Sequence, residues 1–232
     1  CMEQKQKELY HAHAQRLALM LQNQTEEEFA DSRFQVLSEL TRLRQLCCDP
    51  ALVYENYEGG SAKLDLCIEL IQSAVESGHK ILLFSQFTSM IEILTARLQE
   101  ESISYFVLQG STKKEQRAQM VEQFNRDDTS VFCISLKAGG TGLNLTGADI
   151  VIHYDPWWNV AVENQATDRA HRIGQKNVVT VYKLIAKGTI EEKIIKLQQM
   201  KKELAEEILS GDEIKTASFQ REELLELLEE RF

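Results

Sequence analysis

The stretch Ile81-Leu82-Leu83-Phe84 is a short, unbroken apolar run, and it decides the fold class. Four apolar residues without polar alternation are typical of a strand that is buried on both faces, as strands of parallel sheets are. Further runs of this kind follow at residues 105–108, 131–134, 150–152 and 178–182. Helical segments of roughly 10–15 residues alternate with several of these runs, a pattern that predicts βαβ units. The sequence therefore predicts an α/β fold, with a parallel sheet and helices on both faces.

The segments that flank this α/β region have helical patterns. N-terminal to it, four leucines follow an i, i+3 spacing, which predicts one apolar helix face. They are Leu37, Leu40, Leu43 and Leu46. This helix is expected to end near Asp49-Pro50, because a proline disfavours helical backbone in the residue before it. C-terminal to the region, Thr189-x-x-Glu192 matches a capping box and predicts a helix that runs to about Ser210.

The composition fits a globular protein with one large domain or two small ones. The chain has 232 residues, of which 43% are hydrophobic. No apolar run approaches the roughly 18–20 residues that span a bilayer, so no membrane partner is expected. The patterns predict three parts: a helical segment at 1–58, the α/β domain at 59–188 and C-terminal helices at 189–232.

The charge balance bears on nucleic-acid binding. The chain carries 26 basic and 36 acidic residues, a formal net charge of −10. A field of that sign opposes nucleic acid, so any DNA contact has to come from a local basic patch. The cysteines number five, and the adjacent pair Cys47 and Cys48 suits neither a disulfide framework nor a zinc site. We therefore expect no metal site and a reducing, intracellular compartment.

A glycine-rich stretch, residues 135–144, includes the end of the third apolar run and the loop after it. It reads Ser-Leu-Lys-Ala-Gly-Gly-Thr-Gly-Leu-Asn. Glycines there let backbone N–H groups approach an anion, and the carboxyl end of a parallel strand is where α/β sheets bind ligands. A glycine-rich turn without a ligand is the alternative, and the stretch alone does not decide between the two.

Two arginines, Arg169 and Arg172, are three residues apart on a predicted helix, so their guanidinium groups leave one face together. Neighbouring arginines suit the multi-donor recognition of phosphate oxygens. They also neutralise charge that grows on a phosphoryl group during transfer. The alternative from spacing alone is an ordinary ion pair, for example with Asp168 or Glu163.

Both tryptophans of the chain lie beside one proline, in the stretch His153-Tyr154-Asp155-Pro156-Trp157-Trp158-Asn159. A tryptophan pair in a loop more often packs against the protein than contacts a ligand. Stacking on a base or a sugar is the sharper alternative.

Taken together, these three stretches resemble motifs of the second RecA-like lobe of SWI/SNF-family ATPases, within helicase superfamily two. The run Q-x-x-x-R-x-x-R-x-G-Q at 165–175, combined with D-x-W-W-N at 155–159, is specific to this family. Further matches lie at 43–50, 83–87 and 108–112, so the resemblance covers nearly the whole chain. The family usually has a proline after Trp-Trp-Asn, and this chain has Val160, so the next helix is expected to start more loosely.

The resemblance implies an ATP-driven translocase of double-stranded DNA, with a RecA-like sheet and a C-terminal brace helix. By motif, Arg169 and Arg172 are the catalytic arginine fingers that reach the γ-phosphate across a lobe cleft. The implied cofactor contacts are Gln165, Gly140, Gly142 and Asn144. The implied DNA contacts are Ser85, Gln86, Gly110, Ser111, Thr112, Lys113, Arg117, Ser135, Lys137 and Trp158.

The cofactors that the family implies are ATP and Mg²⁺, yet the chain has no G-x-x-x-x-G-K-[ST] phosphate loop and no D-E-x-H run. In the family both belong to the first lobe. We therefore expect the chain to be half of an ATPase that works with its own upstream RecA-like lobe. Alone it is expected to be inactive, because arginine fingers without a phosphate cradle act on a transition state that is never assembled.

Two other interpretations stay open: a non-catalytic DNA- or protein-binding module with this fold, and a lobe of a strand-separating helicase. The Trp157-Trp158 pair favours the SWI/SNF branch over strand-separating relatives. The start at Cys1 favours a truncated chain over a free module. We expect a bacterial enzyme that acts on DNA or nucleoprotein in the cytoplasm, at the nucleoid; a nuclear remodeller is the alternative.

Overall fold

The computed structural model describes residues 2–136, 143–171, 175, 177–207 and 221–228. The chain divides into two compact units: Ala62–Ile185 forms one, and Cys1–Ser61 with Ala186–Phe232 forms the other. In chain order the elements are α1 (Gln4–Gln22), α2 (Glu26–Cys48), a 3-10 helix (Pro50–Leu52), α3 (Ala62–Glu76), β1 (Ile81–Ser85), α4 (Thr88–Glu100), β2 (Tyr105–Leu108), α5 (Lys114–Arg126), β3 (Val131–Ser135), β4 (Ile150–His153), α6 (Val160–Thr167), β5 (Thr180–Lys183), α7 (Ile190–Glu207) and α8 (Arg221–Leu228).

The α/β unit is built on a five-stranded sheet with the order β2-β3-β1-β4-β5, in which every neighbouring pair is parallel. This confirms the predicted α/β fold. The right-handed crossovers that parallel strands favour place α4 on one face of the sheet and α5 and α6 on the other. Because all strands run the same way, their carboxyl ends share one edge, where α/β folds bind ligands.

The core of this unit follows from the two-residue alternation of the strands. On the α5 and α6 face, one buried cluster joins strand residues to helix residues, and it includes Leu82, Phe84, Phe132, Ile134, Val151, Phe124 and Ala166. On the other face, Cys133 of β3 and Cys67 of α3 are fully buried. Burial raises the pKa of the Cys133 thiol to about 12 and that of Cys67 further, so both thiols behave as small apolar side chains.

The last strand begins later than its apolar pattern predicts. Apolar character marks residues 178–182, whereas β5 comprises Thr180–Lys183. Pairing sets these bounds, because Thr180 is the register partner of Ile150, the first residue of β4. Val178 lies outside the ladder and is 89% exposed.

In the helical unit, the N-terminal segment forms two helices, and a capping box that the apolar spacing does not reveal starts the second. The backbone N–H of Thr25 donates to Glu28 Oε2 at 2.8 Å, and the Thr25 hydroxyl accepts from the backbone N–H of Glu28 at 3.3 Å. These reciprocal bonds satisfy two donors at the start of α2. The expected end near Asp49 is confirmed, since α2 ends at Cys48.

Leu37 departs from the predicted apolar face of α2. It is 53% exposed, whereas Leu40, Leu43 and Leu46 are buried. A step of three residues falls about 60° short of one turn in a helix of 3.6 residues per turn, so four such positions drift by about half a turn. The first leucine of the series therefore leaves the core face.

The two ends of the chain belong to the same helical unit. The backbone N–H of Ile190 in α7 donates to the hydroxyl of Tyr10 in α1 at 2.7 Å. Arg221 at the start of α8 donates to the carbonyl of Gln24 at 2.6 Å. These bonds tie the C-terminal helices to the N-terminal pair.

The predicted capping box of α7 forms in altered geometry. The Thr189 hydroxyl accepts from the backbone N–H of Glu191 at 3.2 Å, as a cap does. The carboxylate of Glu192 instead accepts from the backbone N–H of Gly188 at 2.9 Å, one residue before the cap. The predicted end near Ser210 lies outside the described residues.

Candidate functional site

The first group of predicted site residues lies where β1 and β4 end, around the carboxylate of Asp155. Ser85 Oγ donates to Asp155 Oδ1 at 2.6 Å, and the backbone N–H of Gln86 lies 3.3 Å from both carboxylate oxygens. Ser85 is 0% exposed and Asp155 is 1% exposed. We name Ser85, Gln86 and Asp155 the β1–β4 node. Sequence reasoning gave Asp155 no role, although a carboxylate two residues past a buried strand is a signal of such a contact.

This geometry bears on the DNA contacts predicted for two serines. The Ser85 hydroxyl donates to Asp155 and accepts from the backbone N–H of Phe87 at 3.2 Å. Ser135, the register partner of Ser85 on β3, is 1% exposed. In this conformation neither side chain meets solvent. Direct phosphate contact by Ser85 or Ser135 stays a prediction, and the burial of both side chains argues against it.

The loop after β2, residues 109–113, is held from one side by a guanidinium group. Arg117 of α5 donates from Nε to the carbonyl of Thr112 at 2.8 Å and from Nη2 to the carbonyl of Gly110 at 3.1 Å. The exposed residues of the loop are Gly110, Ser111 and Lys113. Carbonyls face Arg117, and the opposite side of the loop is open.

The position of Arg117 thus differs from the position expected of a residue that contacts DNA. Its Nε and Nη2 donors point into the β2 loop, so in this conformation it supports the loop. Lys113 is the N-cap residue of α5 and makes no side-chain cap bond. Lys113 is exposed and supplies the basic group of this loop.

Arg169 follows α6 rather than lying on it, which corrects the predicted helical placement. α6 ends at Thr167, and the carbonyl of Arg169 accepts from the backbone N–H of Leu145 at 3.0 Å. That bond takes the carbonyl that a continued helix would use. Arg169 is 4% exposed, and its guanidinium carbon lies 5.8 Å from the centroid of the Phe84 ring. Arg172 lies outside the described residues.

His153 at the end of β4 lies beside the same phenylalanine. Phe84 and His153 are register partners, and their rings stack with centroids 5.5 Å apart and an interplanar angle of 20°. His153 Nε2 lies 3.0 Å from Thr167 Oγ1. Burial lowers the pKa of His153 to about 4, and the nearby Glu163 carboxylate opposes this shift only in part. The imidazole is therefore neutral at physiological pH.

The side-chain amide of Gln175 joins the segment with Arg169 to the loop that follows the glycine-rich stretch. Gln175 Nε2 donates to the carbonyl of Ala148 at 2.7 Å and to those of Thr146 and Ala170 at 3.2 Å. The motif resemblance includes Gln175, but its structural role needs the contacts. Through these bonds Gln175 connects Thr146 and Ala148 to Ala170, the residue after Arg169.

Asn125 at the end of α5 holds the same loop from the other side. Its Nδ2 donates to the carbonyl of Asn144 at 2.8 Å, and its Oδ1 accepts from the backbone N–H of Gly147 at 2.9 Å. A Cβ at position 147 would lie 3.1 Å from the Asn125 Cα, so glycine permits this close approach. No sequence motif marked Asn125.

The tryptophan stretch combines packing with an ion pair whose carboxylate is buried and whose lysine is partly exposed. Trp157 packs against the core cluster of the sheet, and its backbone N–H donates to Glu163 Oε1 at 2.6 Å. The other oxygen of Glu163 accepts from Lys183 Nζ at 2.6 Å. Asn159 caps α6 through a bond from the backbone N–H of Ala161 at 2.9 Å, so the helix begins without the family's proline. For Trp157 the packing alternative holds; Trp158 is partly exposed.

The remaining predicted residues separate into described and undescribed ones. Gln165 and Asn144 are exposed. Those that lie outside the described residues are Lys137, Gly140, Gly142 and Arg172.

These residues suit one of the two implied cofactors, ATP and Mg²⁺, better than the other. The amides of Gln165 and Asn144 are exposed donors, which suit phosphate oxygens. The guanidinium of Arg169 is also such a donor, but it is buried in this conformation. Mg²⁺ prefers carboxylate oxygens, and the predicted cofactor set contains none. In the part of the chain that the structure describes, no cluster of three or more His, Cys, Asp or Glu residues is arranged to hold a metal ion. The set therefore fits the phosphates of a nucleotide rather than its metal.

No helix within the described ranges is both long enough and apolar enough to cross a membrane.

Comparison with known proteins places these features in a family. Residues 62–174 match the family model of the helicase conserved C-terminal domain. An uncharacterized ATP-dependent helicase of Mycoplasma pneumoniae is 45% identical over 202 residues, which cover 85% of this chain and 19% of that protein. The chain thus spans about a fifth of the length of this relative.

Two solved structures are similar over most of this chain. The Sulfolobus solfataricus SWI2/SNF2 ATPase core in complex with dsDNA has a TM-score of 0.75 and 33% identity, and covers 90% of this chain and 44% of that one. The Sulfolobus solfataricus SWI2/SNF2 ATPase C-terminal domain has a TM-score of 0.77 and 31% identity, and the match covers 98% of this chain and 94% of that one. With its parallel RecA-like sheet and helicase-like relatives, this chain belongs to the SWI2/SNF2 family of ATP-dependent helicase-like proteins, as a C-terminal domain of that family.

Proposed function

We propose that this chain is the second motor lobe of an ATP-dependent translocase of double-stranded DNA, which remodels protein–DNA complexes as it moves. Arg169 and Arg172 act as arginine fingers on the γ-phosphate of ATP, which the upstream RecA-like lobe holds with Mg²⁺. Without that lobe the chain does not hydrolyse ATP, because its 232 residues contain no phosphate loop.

The observation that carries this proposal is the bonding between the Arg169 segment and the loop before β4. The backbone N–H of Leu145 donates to Arg169, and Gln175 bridges Ala148 and Ala170. A nucleotide that pulls on Arg169 therefore also pulls on residues 143–148, which continue the glycine-rich stretch. This physical connection gives the lobe a route by which nucleotide state moves the loop that leads into β4.

On the DNA side, the open surface of the β2 loop supports phosphate contact by Gly110, Ser111 and Lys113. Backbone N–H groups, hydroxyls and ammonium groups of this kind hold the DNA backbone without reading sequence. The related core solved with dsDNA supports duplex DNA as the partner. Ser85 takes a different role in this proposal: through Asp155 it fixes Gln86, which is the contact at the end of β1.

The place of action follows from the DNA partner. A bacterial relative of 45% identity supports the nucleoid as the site, and the nucleus is the alternative. The natural target is duplex DNA or a nucleoprotein complex.

The test is ATP hydrolysis with and without duplex DNA, measured on this chain alone and on the protein that also contains the upstream lobe. We expect activity only in the longer protein, stimulated by DNA. Arg172→Ala in that protein is expected to lose the stimulated turnover by about a thousandfold, in the range of arginine-finger losses, while ATP and DNA binding persist.

Arg126→Ala is the matched control, because Arg126 is an exposed arginine on α5 that pairs with Glu122 at 2.8 Å. It is expected to keep the turnover. Hydrolysis by the chain alone would reveal a nucleotide site unlike the proposed one. Full turnover in Arg172→Ala would overturn the arginine-finger role.

A further inference from the structure

The loop before β4 is attached to the C-terminal end of α5 as well as to the arginine segment. Asn125 Nδ2 donates to the carbonyl of Asn144 at 2.8 Å, and Asn125 Oδ1 accepts from the backbone N–H of Gly147 at 2.9 Å. Between these two loop residues, the backbone N–H of Leu145 donates to the carbonyl of Arg169 at 3.0 Å. One side chain of α5 therefore holds the loop on both sides of the residue that bonds to Arg169.

The opposite end of α5 is attached to the β2 loop. Arg117 donates to the carbonyl of Thr112 at 2.8 Å and to that of Gly110 at 3.1 Å. By the rise of an α-helix, Arg117 and Asn125 lie about 12 Å apart along the axis. One end of this helix thus supports the loop that is proposed to contact DNA, and the other end holds the loop that bonds to Arg169.

α5 is anchored to its sheet mainly at the C-terminal end. Phe124 is the only buried residue of α5, all of which the structure describes, whereas α4, of the same length, buries four. The ammonium group of Lys80, the residue before β1, donates to the carbonyls of Phe124 and Asp127 at that end. Residues 113–116, at the other end, are exposed. Because few buried contacts oppose it, the N-terminal end of α5 can move while the C-terminal end stays on the sheet.

We propose that α5 is a lever that couples DNA contact at the β2 loop to the position of Arg169, with Asn125 as the positioning residue that transmits the movement. Duplex DNA that displaces the β2 loop tilts α5 through Arg117, and the two bonds of Asn125 transmit that tilt to residues 144–147. Asn125 itself contacts neither nucleotide nor DNA. The inference rests on the proposed arginine-finger role of Arg169 and on the proposed DNA contact of the β2 loop, and it names the connection between them.

The contact between Asn125 and the loop suits the transmission of small displacements. The amide uses both its donor and its acceptor on backbone groups, so the loop segment cannot turn about a single bond. A Cβ at position 147 would lie 3.0 Å from Asn125 Oδ1 and 3.1 Å from Asn125 Cα, so the loop backbone lies directly against the helix. Closely packed groups of this kind shift together, because packed interiors have low compressibility.

The experiment measures ATP hydrolysis by the protein that contains both lobes, without DNA and with saturating duplex DNA. Asn125→Ala removes both bonds to the loop, and we expect it to lower the DNA-stimulated kcat about fivefold. The kcat without DNA, the KM for ATP and the DNA concentration for half-maximal stimulation are expected to change by less than about twofold. A merely structural role would lower both kcat values together, and that result would overturn the lever.

Gly147→Ala tests the same contact from the loop side and covers the case in which Asn125→Ala does not fold. Its Cβ displaces the loop from the α5 backbone and leaves the amide of Asn125 in place. We expect a similar fall of the stimulated kcat. In the double variant the two effects are expected to be far from additive, because both substitutions break one contact. Independent, fully additive effects would overturn the lever.

Thr129→Val is the matched control at the same end of the helix. The Thr129 hydroxyl donates to Asp127 Oδ2 at 2.9 Å, within the turn that follows α5. Its loss loosens this turn and leaves the bonds of Asn125 intact, so the variant is expected to keep its stimulation by DNA. If Thr129→Val lowers the stimulated kcat as much as Asn125→Ala does, general loosening of the helix end is the cause and the lever is overturned.

The failure of the lever and the failure of the proposed function give different results. Wild-type stimulation in Asn125→Ala, together with lost turnover in Arg169→Gln, overturns the lever alone. Wild-type turnover in Arg169→Gln overturns the arginine-finger proposal and the lever with it. A wild-type protein that duplex DNA does not stimulate overturns the translocase proposal and, again, the lever.

Discussion

The β1–β4 node and the β2 loop contain similar polar residues at strand ends, yet they are built in opposite ways. In the node, Ser85 and Asp155 bond to each other at 2.6 Å and are almost fully buried. In the loop, Arg117 binds carbonyls from one side, and the other side, with Lys113, is exposed. The difference teaches that serines and glycines after a strand indicate where polar groups gather. Burial then decides whether such groups hold the fold or are open to a ligand.

The largest expected effect is the loss of the carboxylate in the node. Asp155→Ala leaves the buried Ser85 hydroxyl and the Gln86 N–H without their acceptor, which is expected to lower the free energy of unfolding by about 3 kcal/mol. Urea unfolding of the 232-residue chain measures this change.

Asp128→Ala, at an exposed position between α5 and β3, is the control and is expected to stay within about 0.5 kcal/mol of wild type. A loss below about 1 kcal/mol for Asp155→Ala would mean that water replaces the carboxylate, and the contrast with the exposed loop would fail.

A second prediction concerns pH, because the end of β4 holds a buried histidine. Burial lowers the pKa of His153 from 6.5 to about 4. Between these values the unfolded chain binds a proton that the folded chain does not, so stability is full above pH 6.5 and is lost as the pH falls towards 4. Wild type is therefore expected to lose about 2 kcal/mol more than His153→Phe between about pH 8 and pH 5.

The control for this prediction is Thr167→Val, which removes the hydrogen-bond partner of His153 and keeps the imidazole. It is expected to retain the acid loss of the wild type. Equal pH dependence in wild type and His153→Phe would show that water reaches the imidazole, and the end of β4 would then resemble the open loop.

The same contrast explains how much the sequence alone could predict. The sheet follows from local apolar runs such as residues 81–84, since a buried parallel strand needs no polar residue. The node does not: a carboxylate after a buried strand indicates a polar contact, but Ser85 and Asp155 are 70 residues apart and nothing in the sequence pairs them. The sequence does not predict the start of β5 for a similar reason, because pairing with Ile150 on β4 sets where this strand begins.

For the candidate site, motif resemblance finds residue types but not their surroundings. Arg169 is recognisable by the family motif, whereas its contact with Phe84 and its place beyond the end of α6 arise from tertiary bonds such as Leu145 to Arg169. The supporting role of Arg117 cannot be predicted from the sequence either, because an arginine on a helix near a glycine indicates only surface charge. The capping box at Thr25 is the opposite case, because its signal is local and readable as T-x-x-E.

The smallest expected effects separate support from contact within the β2 loop itself. Arg117→Gln removes the guanidinium that binds two loop carbonyls, Thr112 and Gly110, and is expected to lower the free energy of unfolding by about 1 kcal/mol. Lys113→Gln removes an exposed charge and is expected to leave stability within about 0.5 kcal/mol of wild type. Urea unfolding of both variants measures the difference.

The order of the two variants is expected to be the opposite when the salt dependence of duplex DNA binding is measured. Loss of a single phosphate contact lowers the slope of log affinity against log salt by about one, so Lys113→Gln is expected to show that change in anisotropy titrations at several salt concentrations. Arg117→Gln is expected to weaken binding with a smaller change of slope, since its donors hold the loop and do not face the phosphate. The contrary result is an Arg117→Gln variant whose stability is unchanged but whose slope of log affinity against log salt falls by a full unit. Arg117 would then be the phosphate contact, and not the residue that supports the loop.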